Sequence, residues 1–235
     1  MRFAKVSTKT LRQQVYDQLR GKIISAGVLP GETLRLRGLA DEFGVSLMPV
    51  REALWQLESE KIVLIESNKR IQVNTLTQQE MKEILQIRLL LESMAADRSC
   101  ELRPDSAILK AKALLEQMFV HIQRSTKRYL MANSAFHSTI YSYSNSPVLM
   151  RFIDLLWARE GPYFNLLALK GKDLAPTLKY HEGMYEAWVE RDKDKMRRFL
   201  KQGLTDAANA ILSFLESPDS KEWTTAGGTL LCSET

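Results

Sequence analysis

The sequence predicts a mainly α protein: an N-terminal winged helix-turn-helix with a small β-hairpin wing, then an all-α helical-bundle domain. Three observations predict it. Residues 44–55, GVSLMPVREALW, have the form of a tight glycine turn followed by a short helix. Two β-branched runs, 62–65 and 71–73, flank a polar turn. Beyond residue 76 the apolar residues recur at helical spacing.

Each element has its own justification. Residues 8–26 read as a helix striped by Leu11, Val15, Leu19 and Ile23, with Tyr16 and Ile24 beside them and Gly27 as its end. Pro30-Gly31 marks a turn. Leu36, Leu39, Ala40 and Phe43 make a short amphipathic helix. Gly44 allows the left-handed backbone of an inter-helix turn, Ser46 is an N-cap residue, and Pro49 falls in the first turn, where a missing N–H costs little. Val50, Ala53, Leu54 and Leu57 then form one apolar face, which leaves Arg51 and Gln56 pointing outward. Such a pair of helices with a basic outer face suits a DNA major groove, and the hairpin behind it is a wing. The basic wing tip, Ser67-Asn68-Lys69-Arg70, is placed to meet phosphate or a minor groove.

Thr77 and Glu80 form a capping box that opens the second domain. Ile84, Ile87, Leu91 and Met94 run along its first helix, which ends near Arg103. The next starts at Asp105, with Leu109, Ala113, Leu114 and Met118 inward. Another spans about 127–144. A long one runs from Pro147 toward Leu169, with Pro162 as a point where it kinks or breaks. Pro176 opens a helix to about Arg191, and Asp192 caps the last. The expected division is 1–76 for the DNA-binding domain, 77–216 for an all-helical bundle, to which the family resemblance described below adds ligand binding and dimerisation, and 217–235 for a flexible tail.

Composition fits this division. The chain has 235 residues, 45% hydrophobic, enough for two cores. Its net charge is +5. Residues 1–74 hold 12 Lys/Arg against 8 Asp/Glu, and the remainder 21 against 20, so the positive excess lies with the helix-turn-helix. Cys100 and Cys232 are the only cysteines, which excludes a clustered zinc site and makes a disulfide framework an unexpected reading. There is no signal-peptide h-region and no apolar run near the ~20 residues of a membrane span, so a soluble cytoplasmic protein is expected.

Residues 8–74 resemble the winged-helix domain of the GntR family of bacterial transcription regulators. The resemblance rests on the Pro-Gly turn, the Leu-Ala pair, Gly-Val-Ser and Pro-Val-Arg-Glu-Ala-Leu. It implies DNA-contacting positions at Arg37, Ser46, Leu47, Met48 and Arg51, and a wing tip of Ser67, Asn68 and Lys69. Leu47 stands where the family usually has arginine, and Lys61 where it commonly has glycine. Residues 77–216 resemble the effector domain of the FadR subfamily, on Arg88 with Glu92, the run Asn133-Ser-Ala-Phe-His137, Asn145, His181-Glu182 and Asp192. That resemblance implies a helical barrel that holds a small acid and carries a dimer interface.

Asn133 and His137 lie four apart on one helical face, and His181 on another helix could approach them as a polar pocket or a metal site. Many members of the resembled subfamily bind a divalent metal with one Asp and three His. Here the aligned positions are Asn133, His137, His181 and Gly203, so the site reads as degraded, with Asp206 a candidate substitute. Arg88 offers two readings: a bidentate clasp for a ligand carboxylate, or an exposed ion pair with Glu92. Arg159 and Tyr163 are further candidates for the cavity wall. His121 has no partner at useful spacing.

The expected function is therefore a regulator that binds a pseudo-palindromic operator as a homodimer. A small carboxylate-bearing effector at Arg88, Asn133, His137 and His181 would modulate its affinity. No cofactor is implied with certainty. Two readings compete: a constitutive DNA-binding dimer, and a helical metalloenzyme using His137 and His181. The latter lacks an HExxH pair, a nucleophile elbow and a phosphate loop.

Overall fold

In the computed structural model, which describes residues 9–25, 28–67 and 70–220, the first helix is the spine of the N-terminal domain. This helix, α1 (Leu11–Ser25), buries Val15, Leu19 and Ile23 at four-residue intervals. Leu11 begins the same stripe but stays exposed. α1 packs on α3 (Leu47–Ser59), whose Val50, Ala53, Leu54 and Leu57 are all fully buried. Between them α2 (Leu36–Phe43) ends at Gly44, whose φ of 64° lets its N–H reach the carbonyls of Ala40 and Asp41. Ser46 has the extended backbone of an N-cap, yet its side chain makes no capping bond.

The wing carries one strand more than the sequence pattern showed. β1 (Thr33–Leu34), β2 (Val63–Ile65) and β3 (Ile71–Val73) form an antiparallel sheet in the order β1–β3–β2. Leu34 pairs with Ile71, and Ile65 with Ile71 on its other side. Glu66 N–H to Arg70 C=O, 2.9 Å, closes the hairpin. β1 is only two residues long, too short for an alternation to be read from sequence. It is extended by Gly31 N–H to Val73 C=O, 2.9 Å, and Val73 N–H to Glu32 C=O, 2.8 Å.

The second domain is built from α4 (Gln78–Leu102), α5 (Ala107–His121), α6 (Thr126–Ser142), α7 (Pro147–Leu169), α8 (Leu178–Glu190) and α9 (Lys193–Glu216), with a 3-10 turn (Ala175–Thr177) before α8. The capping box at Thr77 and Glu80 is formed in both directions, at 3.0 and 3.1 Å. Asp192 caps α9 through Lys195 N–H, 2.8 Å. α7 runs unbroken through Pro162, which is buried. The face of α5 differs in part from expectation. Met118 is buried and Leu114 half-buried as expected, but Leu109 is 73% exposed and Ala113 points outward, while Ala107, Ala111 and Leu115 face the core. Apolar residues lie on both sides of this helix, and the small alanines are the ones that let it approach its neighbours closely. On α4, Ile87 and Met94 also face outward, with Leu90 between them.

The two domains meet on α7. Ala158 of α7 belongs to the hydrophobic core around α1 and α3. Arg20 donates to the Asp154 carbonyl at 2.5 Å, and Asn165 to the Val28 carbonyl at 3.3 Å. The Tyr163 hydroxyl accepts the buried Leu76 N–H at 2.6 Å. Gly161 approaches the α1 backbone so closely that a Cβ there would lie 2.8 Å from the Ile24 carbonyl oxygen. Past α9, residues 217–220 are still attached: Lys170 pairs with Asp219 at 2.5 Å, and Ser220 is buried. The rest of the expected tail, 221–235, lies outside the described residues.

Lys61 occupies a left-handed backbone position, φ 58°, at the corner between α3 and β2. A side chain there costs about 1–2 kcal/mol relative to glycine. Lys61→Gly is therefore expected to raise the stability of the winged helix by about 1 kcal/mol. An unchanged or lower urea midpoint would contradict this.

Candidate functional site

The outer face of α3 follows from its inner one. With Val50, Ala53, Leu54 and Leu57 turned inward, Met48, Arg51 and Trp55 fall together on the opposite side. All three are exposed, Met48 by 51% and Trp55 by 52%, and Leu47 flanks them at 39%. Ser46 is exposed at the N-terminus of α3, and Arg37 on α2. Neither Arg37 nor Arg51 has an ion-pair partner among the described residues, so both guanidinium groups are free to donate. Trp55 went unremarked in the sequence, although it lies one turn beyond Arg51. Ser67 is exposed on the wing; Asn68 and Lys69 lie outside the described residues. Arg70 contacts the Thr33 hydroxyl at 3.3 Å.

The second candidate is a cavity of about 130 Å³ inside the bundle. Arg88, Asn133, His137 and His181 all line it, as the sequence suggested. Gly203 lines it as well, where a further ligand was absent from the sequence. Among the wall residues that were not expected are Glu160 of α7 and Ile24 of α1. Arg159 and Tyr163 do not line it. Arg159 instead pairs with Glu80 at 2.7 Å, tying α7 to the start of α4, and the Tyr163 hydroxyl is held by Leu76 at the junction between domains.

Arg88 fits neither of its two readings unchanged. It is buried, and its ion pair with Glu92 at 2.6 Å is therefore not a surface pair. It also pairs with Glu160. A ligand carboxylate would have to displace one of these. Burial opposes the guanidinium charge, but Glu160 and Glu92 outweigh it and hold Arg88 above its ordinary range. Two carboxylates share one cation, and Glu160 is the less satisfied: its Oε1 is buried without a hydrogen-bond partner. Burial, with Glu92 nearby, pushes the Glu160 carboxyl up against the pull of Arg88.

A chain of hydrogen bonds leads from Glu92 into the cavity. Glu92 accepts from Trp157 Nε1 at 3.0 Å and from the Tyr141 hydroxyl at 2.9 Å. The Tyr141 oxygen lies 3.2 Å from His137 Nδ1. His137 Nε2 and His181 Nε2 face each other at 3.1 Å, and His181 Nδ1 lies 2.9 Å from the Thr177 carbonyl. Burial lowers both imidazoles to about 3, helped at His137 by Arg88 and at His181 by His137.

Neither the metal site of the resembled subfamily nor a substitute through Asp206 is built here. Among the described residues no group of three or more His, Cys, Asp or Glu could hold a metal ion. Asp206 is engaged by the Tyr180 hydroxyl, and Glu182 is exposed. Asn133 supplies a neutral amide, a weaker ligand than a carboxylate. The residues present therefore do not fit a resident divalent metal. His121 is half-buried, away from the cavity.

The profile described as bacterial regulatory proteins, gntR family, matches residues 11–73, and the FCD domain matches residues 83–206. The gluconate operon transcriptional repressor of Bacillus licheniformis is 31% identical over 206 residues, 84% of each chain. The HTH-type transcriptional regulator McbR of Escherichia coli (strain K12) is 27% identical over 201 residues, 84% of this chain and 91% of its own. The solved structure of E. coli McbR/YncC superposes with a TM-score of 0.83 at 26% identity, covering 89% of this chain and all of that one.

The neutral histidines carry a pH signature. Their ordinary value is 6.5 and their folded value about 3, so between these the unfolded chain binds more protons than the folded one. Stability is thus present above pH 6.5 and is lost as pH falls below it, by about 1.4 kcal/mol per histidine per pH unit. Urea unfolding of wild type should weaken steeply from pH 7 to 5, and His137→Gln should flatten that slope. Equal slopes would mean that His137 is not held neutral.

Proposed function

The chain belongs to the gntR family of bacterial regulatory proteins, and from that premise we propose that it grips a pseudo-palindromic operator as a homodimer and that a small molecule in the bundle cavity alters that grip. It is a DNA-binding transcription regulator rather than an enzyme. The finer reading places it in the cytoplasm and has it act as a repressor, the role that the name of the gluconate operon relative carries. Among the described residues no helix is long and apolar enough to cross a membrane.

The observation that carries the proposal is the unpaired Arg51 in the middle of the exposed α3 face. A guanidinium there can bridge the O6 and N7 of guanine. Beside it Leu47 and Met48 offer apolar contact, suited to a thymine methyl, with Leu47 standing where the resembled family usually presents an arginine. The expected operator thus gains a thymine preference at the cost of one charged contact.

The homodimer finds support on α4. Ile87, Leu90 and Met94 stand 44, 72 and 54% exposed in one stripe on the outside of the bundle. Exposed apolar residues at this spacing suit a second copy related by a two-fold axis, the symmetry that a palindromic operator mirrors.

Effector control rests on the wall of the cavity. Ile24 comes from α1, the helix on which α3 is packed, so a cavity occupant touches the DNA-binding domain directly. A ligand that prefers one arrangement of this wall shifts the dimer toward it. Coupling of ~1–3 kcal/mol would change operator affinity about 5- to 150-fold.

Two measurements test this reading on a duplex selected by the protein from a randomised pool. Arg51→Ala should weaken binding to it at fixed salt by about 1–3 kcal/mol while sparing non-specific binding. Equal affinities would remove α3 as the reading helix. Separately, Leu90→Glu should lower the sedimenting mass to that of a monomer; a dimer of undiminished strength would move the interface elsewhere.

A further inference from the structure

Satisfying the Glu92, Tyr141 and Thr177 contacts together leaves one assignment of protons in the cavity. Glu92 accepts from Arg88, Trp157 and Tyr141, and a carboxylate has no proton to return. The single hydroxyl proton of Tyr141 therefore goes to Glu92, and its oxygen is left to accept from His137 Nδ1–H. On the other side, the Thr177 carbonyl can only accept, so His181 Nδ1 carries the proton there. A neutral imidazole has one N–H, and each ring has now used it. The two Nε2 atoms, 3.1 Å apart, both present bare lone pairs.

Charge points the same way. Arg88 is one cation between two carboxyl groups, so full ionisation would leave the buried cluster one negative charge in excess, and burial with Glu92 nearby opposes that at Glu160. The unsatisfied Oε1 of Glu160, on a residue that lines the cavity, is a further acceptor without a donor. Aromatic rings of Tyr129 and Trp157 stand around these groups, faces that attract a cation.

We propose that the cavity is a receptor for a small molecule bearing an ammonium group, which donates to Nε2 of His137, Nε2 of His181 and the Glu160 carboxylate. This rests on reading the cavity as the effector site. An ammonium brings three donors and one positive charge, the two things the site lacks. A carboxylate ligand would add acceptors to acceptors and a negative charge beside Glu92 and Glu160. Protonating a ring would also fill the gap, but burial opposes the charge on both rings, joined by Arg88 at His137 and by the neighbouring His137 at His181. The volume, about 130 Å³, approaches that of a void that takes benzene, so the ligand has on the order of six non-hydrogen atoms.

The full-length protein can be titrated by calorimetry and thermal shift with n-pentylamine, 1-pentanol, sodium pentanoate and zinc chloride. These share the size of the void or test the metal alternative. Pentylamine should bind once per chain and raise the melting temperature, with pentanol weaker by tenfold or more and pentanoate without effect. Glu160→Gln should lose at least tenfold in pentylamine affinity. Because that variant disturbs a buried ion pair, a second measurement stands apart from it. Histidine nitrogen-15 spectra of the unliganded wild type should show both rings as Nδ1–H tautomers, with Nε2 resonances that move on adding pentylamine. An Nε2–H on either ring, tighter binding of pentanoate, or tight stoichiometric zinc would each overturn the proposal. Pentylamine that binds without changing affinity for the selected duplex would uphold the receptor and overturn the effector reading. Pentanoate that releases the duplex would do the reverse.

Discussion

The approach of α7 to α1 at Gly161 is the constraint on which the rest of the molecule depends. The helix backbones come so close there that a methyl group would strike the Ile24 carbonyl. Only a residue without a side chain permits this distance. Because of it, Ala158 reaches the core of the winged helix one turn earlier along α7, and Ile24 becomes part of the cavity wall. Glu160, the neighbour of Gly161, is carried at the same time into the bundle interior, where it meets Arg88. One close helix crossing thus fixes the position of the DNA-reading domain and the charge of the cavity together.

That charge is an expensive arrangement. Burying an arginine with two carboxylates sacrifices the hydration of three ions, and such clusters are often no more stable than an apolar core of the same shape. Stability alone does not explain why Arg88, Glu92, Tyr141 and Trp157 are joined into one network. What the network does is orient His137. Tyr141 is held by Glu92, so the ring of His137 is held in one tautomer, and its free nitrogen faces the cavity. The second ring is oriented independently, by the Thr177 carbonyl at the start of α8.

Much of this was legible in the sequence, for reasons that differ from residue to residue. The helix-turn-helix declares itself locally: a left-handed glycine, an amphipathic spacing and a capping position sit within a dozen residues. His137 declares itself through i,i+4 spacing with Asn133, and His181 as a second imidazole on another helix. Trp55 was equally visible, one turn from Arg51, and so was Tyr141, one turn from His137. β1 was not, because two residues carry no period. The inward face of α5 was not, because Leu109 and Ala113 repeat at the same interval as Ala107 and Ala111, and only the neighbours decide between them. Glu160 was not, since a charged residue in a long helix reads as surface until tertiary packing encloses it. The fate of Arg88 hung on that same hidden residue.

The geometry also limits how a signal can travel. Packed interiors shift between discrete arrangements rather than deform smoothly. α1 presses Val15, Leu19 and Ile23 into the same core as Val50, Leu54 and Leu57 of α3, so these two helices move as one body. A ligand that pushes on Ile24 therefore cannot bend the reading helix; it can only tilt the whole winged helix about its contacts with α7. The hydrogen bonds at that contact are few, chiefly Arg20 to the Asp154 carbonyl and Asn165 to the Val28 carbonyl. A tilt that breaks them leaves the DNA face intact. In a dimer it would change the separation of two unaltered reading helices, and a duplex whose half-sites are one helical turn apart is sensitive to that separation alone.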